Sequence, residues 1–373
     1  MARKQFLSFL LIFSLLISCA SALAEADDDD DWDDNVDDAW EMEHPLHSGD
    51  YAYALLDDGT VEITSYGGAD TEIVIPDTLD GKPVTAIGER AFYYSLSLTS
   101  VTIPDSVTCI SKRAFSCCYN LMSIALPSGL TAIEPGTFEL CNSLTSIAIP
   151  DSITTIAEDA FVSCKALQSF TLSPNHPYFF LADDALCRTA DSTLLLYPNA
   201  REPRTYRIPD GITAISAYAF YDCDLLESVV VPDSVTQLPA RAFSGCSALA
   251  SVSLPDSLTE IGTAAFSGCS ALTGIRIPAA ITEIINHTFS GCTSLATLEI
   301  PDSVTKTGDY AFFGCTSLTS IAIPDSVTAI GNGAFSNCTA LTLTVTPDSY
   351  AAEYAQANNI PYTYPDANGW LNN

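Results

Sequence analysis

A 23-residue spacing repeats through most of this chain and limits what it can fold into. Phenylalanine, proline and cysteine each recur on that spacing, in step with one another. The phenylalanine column consists of Phe92, Phe115, Phe138, Phe161, Phe220, Phe243, Phe266, Phe289, Phe312 and Phe335. One step, from Phe161 to Phe220, exceeds the common period by the length of an inserted segment. Because a fixed period indicates repeats that pack on their neighbours, the sequence predicts a solenoid of ten units.

Each unit contains two short extended segments followed by a compact turn. In one unit, Val101 and Ile103 alternate with polar residues, as in a half-buried strand. A Pro-Asp-Ser turn at 104–106 leads to a second extended piece at 107–110. The apolar residues that close the unit recur at helix-like spacing and are Ala114, Phe115, Cys118 and Leu121. We therefore predict an α+β repeat solenoid, a right-handed stack of short parallel strands with short helical turns, capped at both ends.

Irregular segments divide the chain around these repeats. Atypical end segments are expected, because an open solenoid must cover its two ends. The long step between the fourth and fifth phenylalanines predicts a β-rich insertion with two or three extra strands. A short helix is predicted at 349–358. The predicted divisions are an N-terminal cap (51–75), units one to four (76–173), the insertion (174–208), units five to ten (209–346) and a C-terminal cap and tail (347–373).

Residues 1–24 have the pattern of a secretory signal peptide. Arg3 and Lys4 precede an apolar run, and Ala22 and Ala24 form a small-residue cleavage site. Residues 16–19 (Leu-Ile-Ser-Cys) also resemble a bacterial lipobox, in which Cys19 would be lipidated and become the new N-terminus. Cleavage after Ala24 and lipidation of Cys19 both remain open. Either way, we expect an extracellular or cell-surface protein.

Strongly acidic residues follow this leader. Residues 25–43 contain 12 acids in 19 positions, so residues 25–50 are predicted to form a disordered linker. Residues 44–373 still carry 34 acids against 12 bases, a net charge of −22. Such a charge argues against nucleic acid and against anionic lipid as partners. The expected contact with a membrane is therefore limited to a lipid anchor on Cys19.

The repeat pattern resembles that of the BspA-like leucine-rich repeats of bacterial and protozoan surface proteins. Residues 300–321 follow it closely, with Ile-Pro-Asp-Ser-Val-Thr, then Ala311-Phe312, Cys315, Leu318 and Ile321. The resemblance extends over about residues 51–365, and Thr307 departs from it where the pattern has isoleucine. It implies a role in adhesion to proteins, cells or other microbes and brings no catalytic residues with it. Fold alone does not imply that function.

The cysteines have two interpretations. Twelve of them follow the leader, and in an exported protein that number suggests disulfides. Nine lie at one register of successive units, where a free thiol packs like a small apolar side chain. Cys109, Cys117 and Cys187 lie outside that column and are the better places for a bridge. No zinc-like spacing and no histidine triad is present, so we expect neither a cofactor, nor a metal, nor an enzyme.

A binding surface should use positions that vary between units. The outward strand position holds mostly small residues, and Arg276 and Glu299 are its only charged members, which could pair with each other. Aromatic residues and arginine are enriched among interface anchors, and the insertion holds several of them. The candidate partner-binding residues there are Tyr178, Phe179, Arg201, Arg204 and Tyr206. The alternative is that these aromatic rings pack on the stack.

These observations predict a non-catalytic protein that mediates adhesion or recognition. The expected partner is an extracellular protein, a glycan or another cell surface, and the expected state is a monomer. Two alternatives stay open: a passive spacer or coat protein, and an accessory that tethers substrate for a secreted hydrolase.

Overall fold

Two short strands in each coil form parallel ladders along the stack. The computed structural model describes residues 45–365. Paired strands occupy the same place in successive repeats, so that Val101 lies beside Ile124. The first ladder contains β4 (Glu72–Val74), β7 (Ser100–Thr102), β9 (Ser123–Ala125), β11 (Ser146–Ala148), β13 (Ser169–Thr171), β17 (Thr205–Arg207), β19 (Ser228–Val230), β21 (Ser251–Ser253), β23 (Gly274–Arg276), β25 (Thr297–Glu299), β27 (Ser320–Ala322) and β29 (Thr342–Thr344). The predicted repeat stack is confirmed.

The second ladder runs beside the first and is built from shorter strands. It contains β6 (Lys82–Ile87), β8 (Cys109–Ile110), β10 (Ala132–Ile133), β12 (Thr155–Ile156), β16 (Thr193–Leu196), β18 (Ala214–Ile215), β20 (Gln237–Leu238), β22 (Glu260–Ile261), β24 (Glu283–Ile284), β26 (Lys306–Thr307) and β28 (Ala329–Ile330). β5 (Thr78–Leu79) pairs with β6 in antiparallel fashion. The Pro-Asp-Ser turns join the two ladders, because proline fixes its own φ and cannot continue a ladder.

The third side of each coil is a chain of turns, and the predicted helical turns are not confirmed. Arg113 and Cys117 have φ values of 56° and 60°, and equivalent left-handed residues occur two before and two after the ladder phenylalanine in nearly every coil. A left-handed residue every four positions interrupts an α-helix. The Phe115 N–H, moreover, donates to the Thr137 carbonyl of the next coil, at 3.0 Å. The α+β class is therefore replaced by a β-solenoid.

The phenylalanine column forms stacked rings inside the coils. Neighbouring rings lie 4.7–6.0 Å apart, and Phe243 and Phe266, for example, are almost parallel with an interplanar angle of 2°. Tyrosines cover the stacked rings where regular coils stop. Tyr66 covers Phe92 at the N-terminal end, and Tyr354 contacts Phe335 at the other end. Offset ring stacking adds to the burial of these large side chains.

Both ends are capped. β1 (Leu46–Ser48), β2 (Tyr51–Leu55) and β3 (Val61–Tyr66) form an antiparallel sheet that pairs with β6. Because β1 begins at residue 46, the predicted disordered linker 25–50 does not extend to residue 50. At the other end, α1 (Tyr350–Ala357) follows the N-cap Ser349 and precedes the C-cap Asn358, which confirms the predicted helix. β30 (Tyr362–Thr363) then pairs with β29.

The insertion enters the stack instead of lying on its outside. β14 (Phe179–Ala182) and β15 (Ala185–Arg188) form a hairpin whose two turn residues, Asp183 and Asp184, both have positive φ, as a type I′ turn requires. β15 continues to β16, which pairs in parallel with β18 of the second ladder. Tyr197 follows and stacks on Phe220, one repeat period later, at 5.2 Å. The predicted extra strands are confirmed, and the additional residues of the long step precede this partial coil.

The insertion also divides the apolar core into two clusters. One cluster extends from Tyr53 to Leu196 and the other from Ala182 to Ala355. The buried residues of each cluster pack against one another. Residues of the hairpin alternate between them: Leu186 belongs to the N-terminal cluster, and its neighbour Cys187 belongs to the C-terminal one. The hairpin is therefore the joint between two half-stacks.

Candidate recognition surfaces

The thiols of the cysteine column form hydrogen bonds between coils of the stack. Each of its nine thiols donates to the carbonyl of the ring residue 26 positions earlier, as Cys269 does to Phe243 at 3.1 Å. Burial raises the pKa of Cys164 and of Cys292 to about 12, so these thiols stay protonated donors at neutral pH. All twelve cysteines from Cys109 to Cys338 are free in the structure. Cys109 is exposed on β8, whereas Cys117 and Cys187 are buried in a turn and in β15.

The threonine column is likewise part of the scaffold. Thr154, Thr259, Thr305 and Thr328 each donate a hydroxyl to the backbone carbonyl of the corresponding threonine in the preceding coil. The serine of the Pro-Asp-Ser turn also bonds to the preceding coil, as Ser303 does to Ile281 at 2.7 Å. Side chains engaged in this way hold coils together. The hydroxyl and thiol groups of these columns are therefore occupied within the scaffold.

Two of the candidate residues in the insertion are not on the surface. Phe179 is 2% exposed and Tyr206 is 3% exposed. The Tyr206 hydroxyl donates to the Ala182 carbonyl at 2.8 Å, and its ring packs on Tyr197. Burial raises the pKa of Tyr206 well above its usual value. The prediction that these two rings face a partner is wrong for this structure, because the hairpin that carries them is wedged between the half-stacks.

The two arginines of the insertion differ in their surroundings. Arg201 lies over the rings of Tyr197 and Tyr206 and pairs with Asp184 at 3.1 Å. Only 11% of its side chain is exposed, so it mainly braces the hairpin turn. Arg204 is half exposed and lies between two carboxylates, those of Glu202 and Glu227, at 3.1 and 3.4 Å.

Tyr178 remains exposed, and two residues that were not singled out in the sequence join it. Tyr178, Phe180 and Leu181 are 44%, 36% and 38% exposed. Phe180 and Leu181 lie on β14, which pairs with β15 on one side and with no other described strand. The run of four apolar residues at 178–181 was visible in the sequence, but their alternation could not show which rings face outward.

The outward face of the first ladder carries a broad groove. Its volume is about 870 Å³ between β21 and β29, and Arg276 and Glu299 line it. Arg276 pairs with Asp256 of the preceding coil at 2.6 Å rather than with Glu299, so the alternative that these two candidates pair with each other does not hold. The remaining lining is mostly small or aliphatic, such as Gly274, Ser320 and Ala322.

Several predictions concern residues outside 45–365. The signal peptide, the lipidation of Cys19 and the acidic stretch up to residue 44 are among them. Within 45–365, no group of three or more His, Cys, Asp or Glu side chains is arranged to hold a metal ion. The helix in the same part of the chain is too short and too polar to cross a bilayer.

Known proteins share this architecture. A leucine-rich cell-surface protein from Faecalibacterium prausnitzii is 31% identical, with 86% of this chain and 98% of that chain covered and a TM-score of 0.51. The pneumococcal vaccine antigen PcpA is 17% identical, with 86% of this chain and 98% of that chain covered and a TM-score of 0.60. A leucine-rich repeat protein from Eubacterium ventriosum is 23% identical, with 78% of this chain and 93% of that chain covered and a TM-score of 0.58. The latter two show similarity of fold alone. No curated protein matches the chain.

The sequence profile of one family matches the repeats directly. It is described as the BspA type leucine-rich repeat region, and six copies cover residues 70–180 and 213–342. The unmatched residues between the two segments, 181–212, include most of the insertion. This coverage, together with the F. prausnitzii relative, shows that the chain belongs to the BspA-type leucine-rich repeat family.

Proposed function

We propose that this protein is an exported, non-catalytic recognition protein that binds an extended segment of another protein along β14. One observation supports this proposal, the apolar strand edge formed by Tyr178, Phe180 and Leu181. Stable soluble proteins usually blunt such an edge with charge, proline or a covering loop, because an open edge pairs with other chains. A passive spacer would have no reason to retain it.

The register of the hairpin defines what β14 offers to a partner. The Thr189 N–H donates to the Tyr178 carbonyl at 2.9 Å, so every second residue of β14 faces β15. Phe179 and Leu181 therefore direct their backbone groups away from β15. The Phe179 N–H is bonded to His176 Nδ1, but the Phe179 carbonyl and both backbone groups of Leu181 have no partner among residues 45–365. An added strand could form three hydrogen bonds there.

The side chains indicate what the added strand should contain. Phe180 and Leu181 provide apolar contact, and Asp183 at the turn adds negative charge at one end. The surrounding protein is strongly acidic. An extended segment with alternating apolar residues and a basic residue near the turn is complementary to this edge.

The test compares point variants, because removing residues 174–208 would also remove Tyr197 and β16 from the stack. Leu181→Pro deletes an outward N–H and leaves the β14–β15 pairing intact, and Phe180→Ser removes the exposed ring. Leu55→Ser, which removes another exposed leucine in the N-terminal cap, is the matched control. Circular dichroism and thermal melts establish that each variant is folded.

Binding would be measured against immobilised matrix proteins, glycans and microbial cells at low and high salt. The proposal expects a saturable protein partner whose affinity falls at least tenfold in Leu181→Pro and Phe180→Ser and is unchanged in Leu55→Ser. Absence of any protein partner, or equal binding by all variants, would overturn it. Concentration-dependent self-association without a partner would instead favour the coat or spacer role.

A further inference from the structure

Two clusters of tyrosine and arginine lie on the turn edge, the side of the stack formed by the left-handed turns. The first cluster contains Arg90, Tyr93 and Tyr94 in the first coil. In the second cluster, Tyr218 and Tyr221 of the fifth coil lie beside Arg241 of the sixth. Arg90, Tyr218 and Arg241 share one register, two residues before the ladder phenylalanine.

The rings within each cluster form small, accessible platforms. Tyr93 and Tyr94 lie 6.1 Å apart between ring centroids, and Tyr218 and Tyr221 lie 5.5 Å apart. Tyr93 is 48% exposed, and the other three are half-buried. The guanidinium of Arg241 is 6.0 Å from the centre of the Tyr218 ring. A guanidinium therefore accompanies each pair of rings: Arg241 lies over Tyr218, and Arg90 interacts electrostatically with the Tyr93 hydroxyl.

The absence of ion pairs to their arginines distinguishes these clusters from the rest of the described surface. Six of the eight arginines in residues 45–365 form ion pairs with carboxylates. Arg90 and Arg241 are the two that form no ion pair and no side-chain hydrogen bond with any residue described. In a chain with a net charge of −22 beyond residue 43, carboxylates are abundant. Neither guanidinium is within ion-pair distance of a carboxylate, although the Glu139 carboxylate interacts electrostatically with Arg90, so both can pair with an external anion.

The scaffold does not require these side chains. Arg90, Tyr218 and Arg241 have φ values of 56°, 59° and 57°, a region that costs bulky residues some free energy. The same position is glycine in other coils, at Gly136 and Gly333. Arg113, His287 and Tyr310 occupy the same register with positive φ, so the fold tolerates a large side chain here without requiring any particular one.

We propose that the turn edge binds a linear acidic polysaccharide, with the two tyrosine–arginine clusters as successive subsites. Tyrosine faces pack against the apolar C–H face of a sugar ring, and each free guanidinium pairs with a carboxylate of a uronic acid. The clusters are five to six coils apart when the partial coil of Tyr197 is counted, about 24–29 Å at the strand spacing of about 4.8 Å. Two similar sites along one edge are complementary to a ligand that repeats chemically, more than to an irregular protein surface.

This site is separate from the β14 edge in position and in ligand class. Its chemistry also requires specific contact, because the net negative charge of the protein repels a polyanion at long range. Binding should therefore be measured at physiological salt, where the Debye length of about 8 Å screens that repulsion but leaves close ion pairs.

The experiment uses the whole folded protein and oligogalacturonate as the probe. Dextran of matched length is the neutral control, and poly-glutamate is the acidic polypeptide control. Arg90→Gly and Arg241→Gly remove each cation without backbone strain, since glycine occupies the same position in other coils. Tyr93→Ser and Tyr221→Ser remove platform rings, and serine occurs at that register in Ser116 and Ser244. Arg207→Ala, which removes an exposed arginine on the strand face, is the matched control.

We expect saturable binding of a ten-sugar oligogalacturonate, and at least tenfold weaker binding of a three-sugar one that cannot reach both clusters. Each arginine variant should weaken the ten-sugar probe about fivefold to tenfold, and the double variant should bind no better than it binds dextran. Arg207→Ala should match the parent protein. Failure to bind oligogalacturonate, equal loss in Arg207→Ala, or tighter binding of poly-glutamate would overturn the proposal.

Discussion

Replacement of Thr307 by valine should stabilise the stack. Thr307 lies in β26, in the column that holds Ile284 in the preceding coil and Ile330 in the next. It is 0% exposed, and its hydroxyl has no hydrogen-bond partner among residues 45–365. A buried hydroxyl without a partner is destabilising, because it loses its bonds to water and gains none. Valine has nearly the same shape and no hydroxyl.

The size of the effect follows from that desolvation. Leaving a hydroxyl unsatisfied costs about 1–3 kcal/mol, so Thr307→Val should raise the free energy of unfolding by about 1–2 kcal/mol. The unfolding entropy is about 2.1 cal/mol/K per residue, which converts this gain into a rise in Tm of about 2–3 °C if residues 45–365 melt together. If the C-terminal core cluster melts by itself, fewer residues share the gain and the rise becomes about 3–5 °C.

Calorimetry and urea unfolding of the parent, Thr307→Val and Thr305→Val would measure this. Thr305 is two residues earlier, but it is exposed and its hydroxyl donates to the Thr282 carbonyl at 3.3 Å. Thr305→Val should therefore give no gain or a small loss. An unchanged or lower Tm for Thr307→Val would show that its hydroxyl is satisfied in solution, and the reasoning would fail.

Two further predictions concern titratable groups. In the native protein, iodoacetamide should modify the exposed Cys109 and the partly exposed Cys338 first. The other eight thiols of the cysteine column should react only after unfolding, because they are buried and burial raises the pKa of thiols such as Cys118 to about 12. Mass spectrometry checks this, and comparable native labelling of Cys118 would contradict it. Asp222→Asn should stabilise the protein at pH 7, because burial raises the pKa of Asp222 above its ordinary value of 3.8 and so disfavours its ionised form in the folded state. The gain should be full above the folded pKa and disappear below 3.8, so equal shifts in the urea midpoint at pH 7 and pH 3.5 would refute the assignment.

The sequence was sufficient for the repeats but not for the geometry of the turns. Phe115, Cys118 and Leu121 are three residues apart, and successive turns produce that spacing as well as a helix does. The deciding feature is positive φ. Glycine at these positions would have indicated it, but the chain has Arg113 and Cys117 there, which do not usually adopt positive φ. The same limit applies to the turn-edge clusters, because the strained register is visible only once the backbone is known.

The place of the insertion in the stack is hidden for a different reason. Its length predicts an appendage, and Tyr197 does not match the residue type of the phenylalanine column. In the structure, Tyr197 stacks on Phe220 and Tyr206 packs on Tyr197. Tyr206, a predicted surface anchor, therefore lies inside the joint between the two half-stacks. Aromatic composition alone cannot distinguish a binding loop from an internal wedge, because both require large apolar side chains. Only the topology separates buried Phe179 from exposed Phe180.

Both proposed sites lie where the sequence departs from the constant columns of the repeat. A column that bonds each coil to the next must keep one residue type, so its members cannot specify a partner without weakening the stack. The cysteine and threonine columns are constrained in this way, whereas the register of Arg90 and Arg241 accepts glycine, alanine or tyrosine in other coils. The second departure is the insertion, which interrupts the repeat and exposes β14. Substitutions at these two places should therefore alter binding with little change in Tm, while substitutions in the ladders should do the reverse.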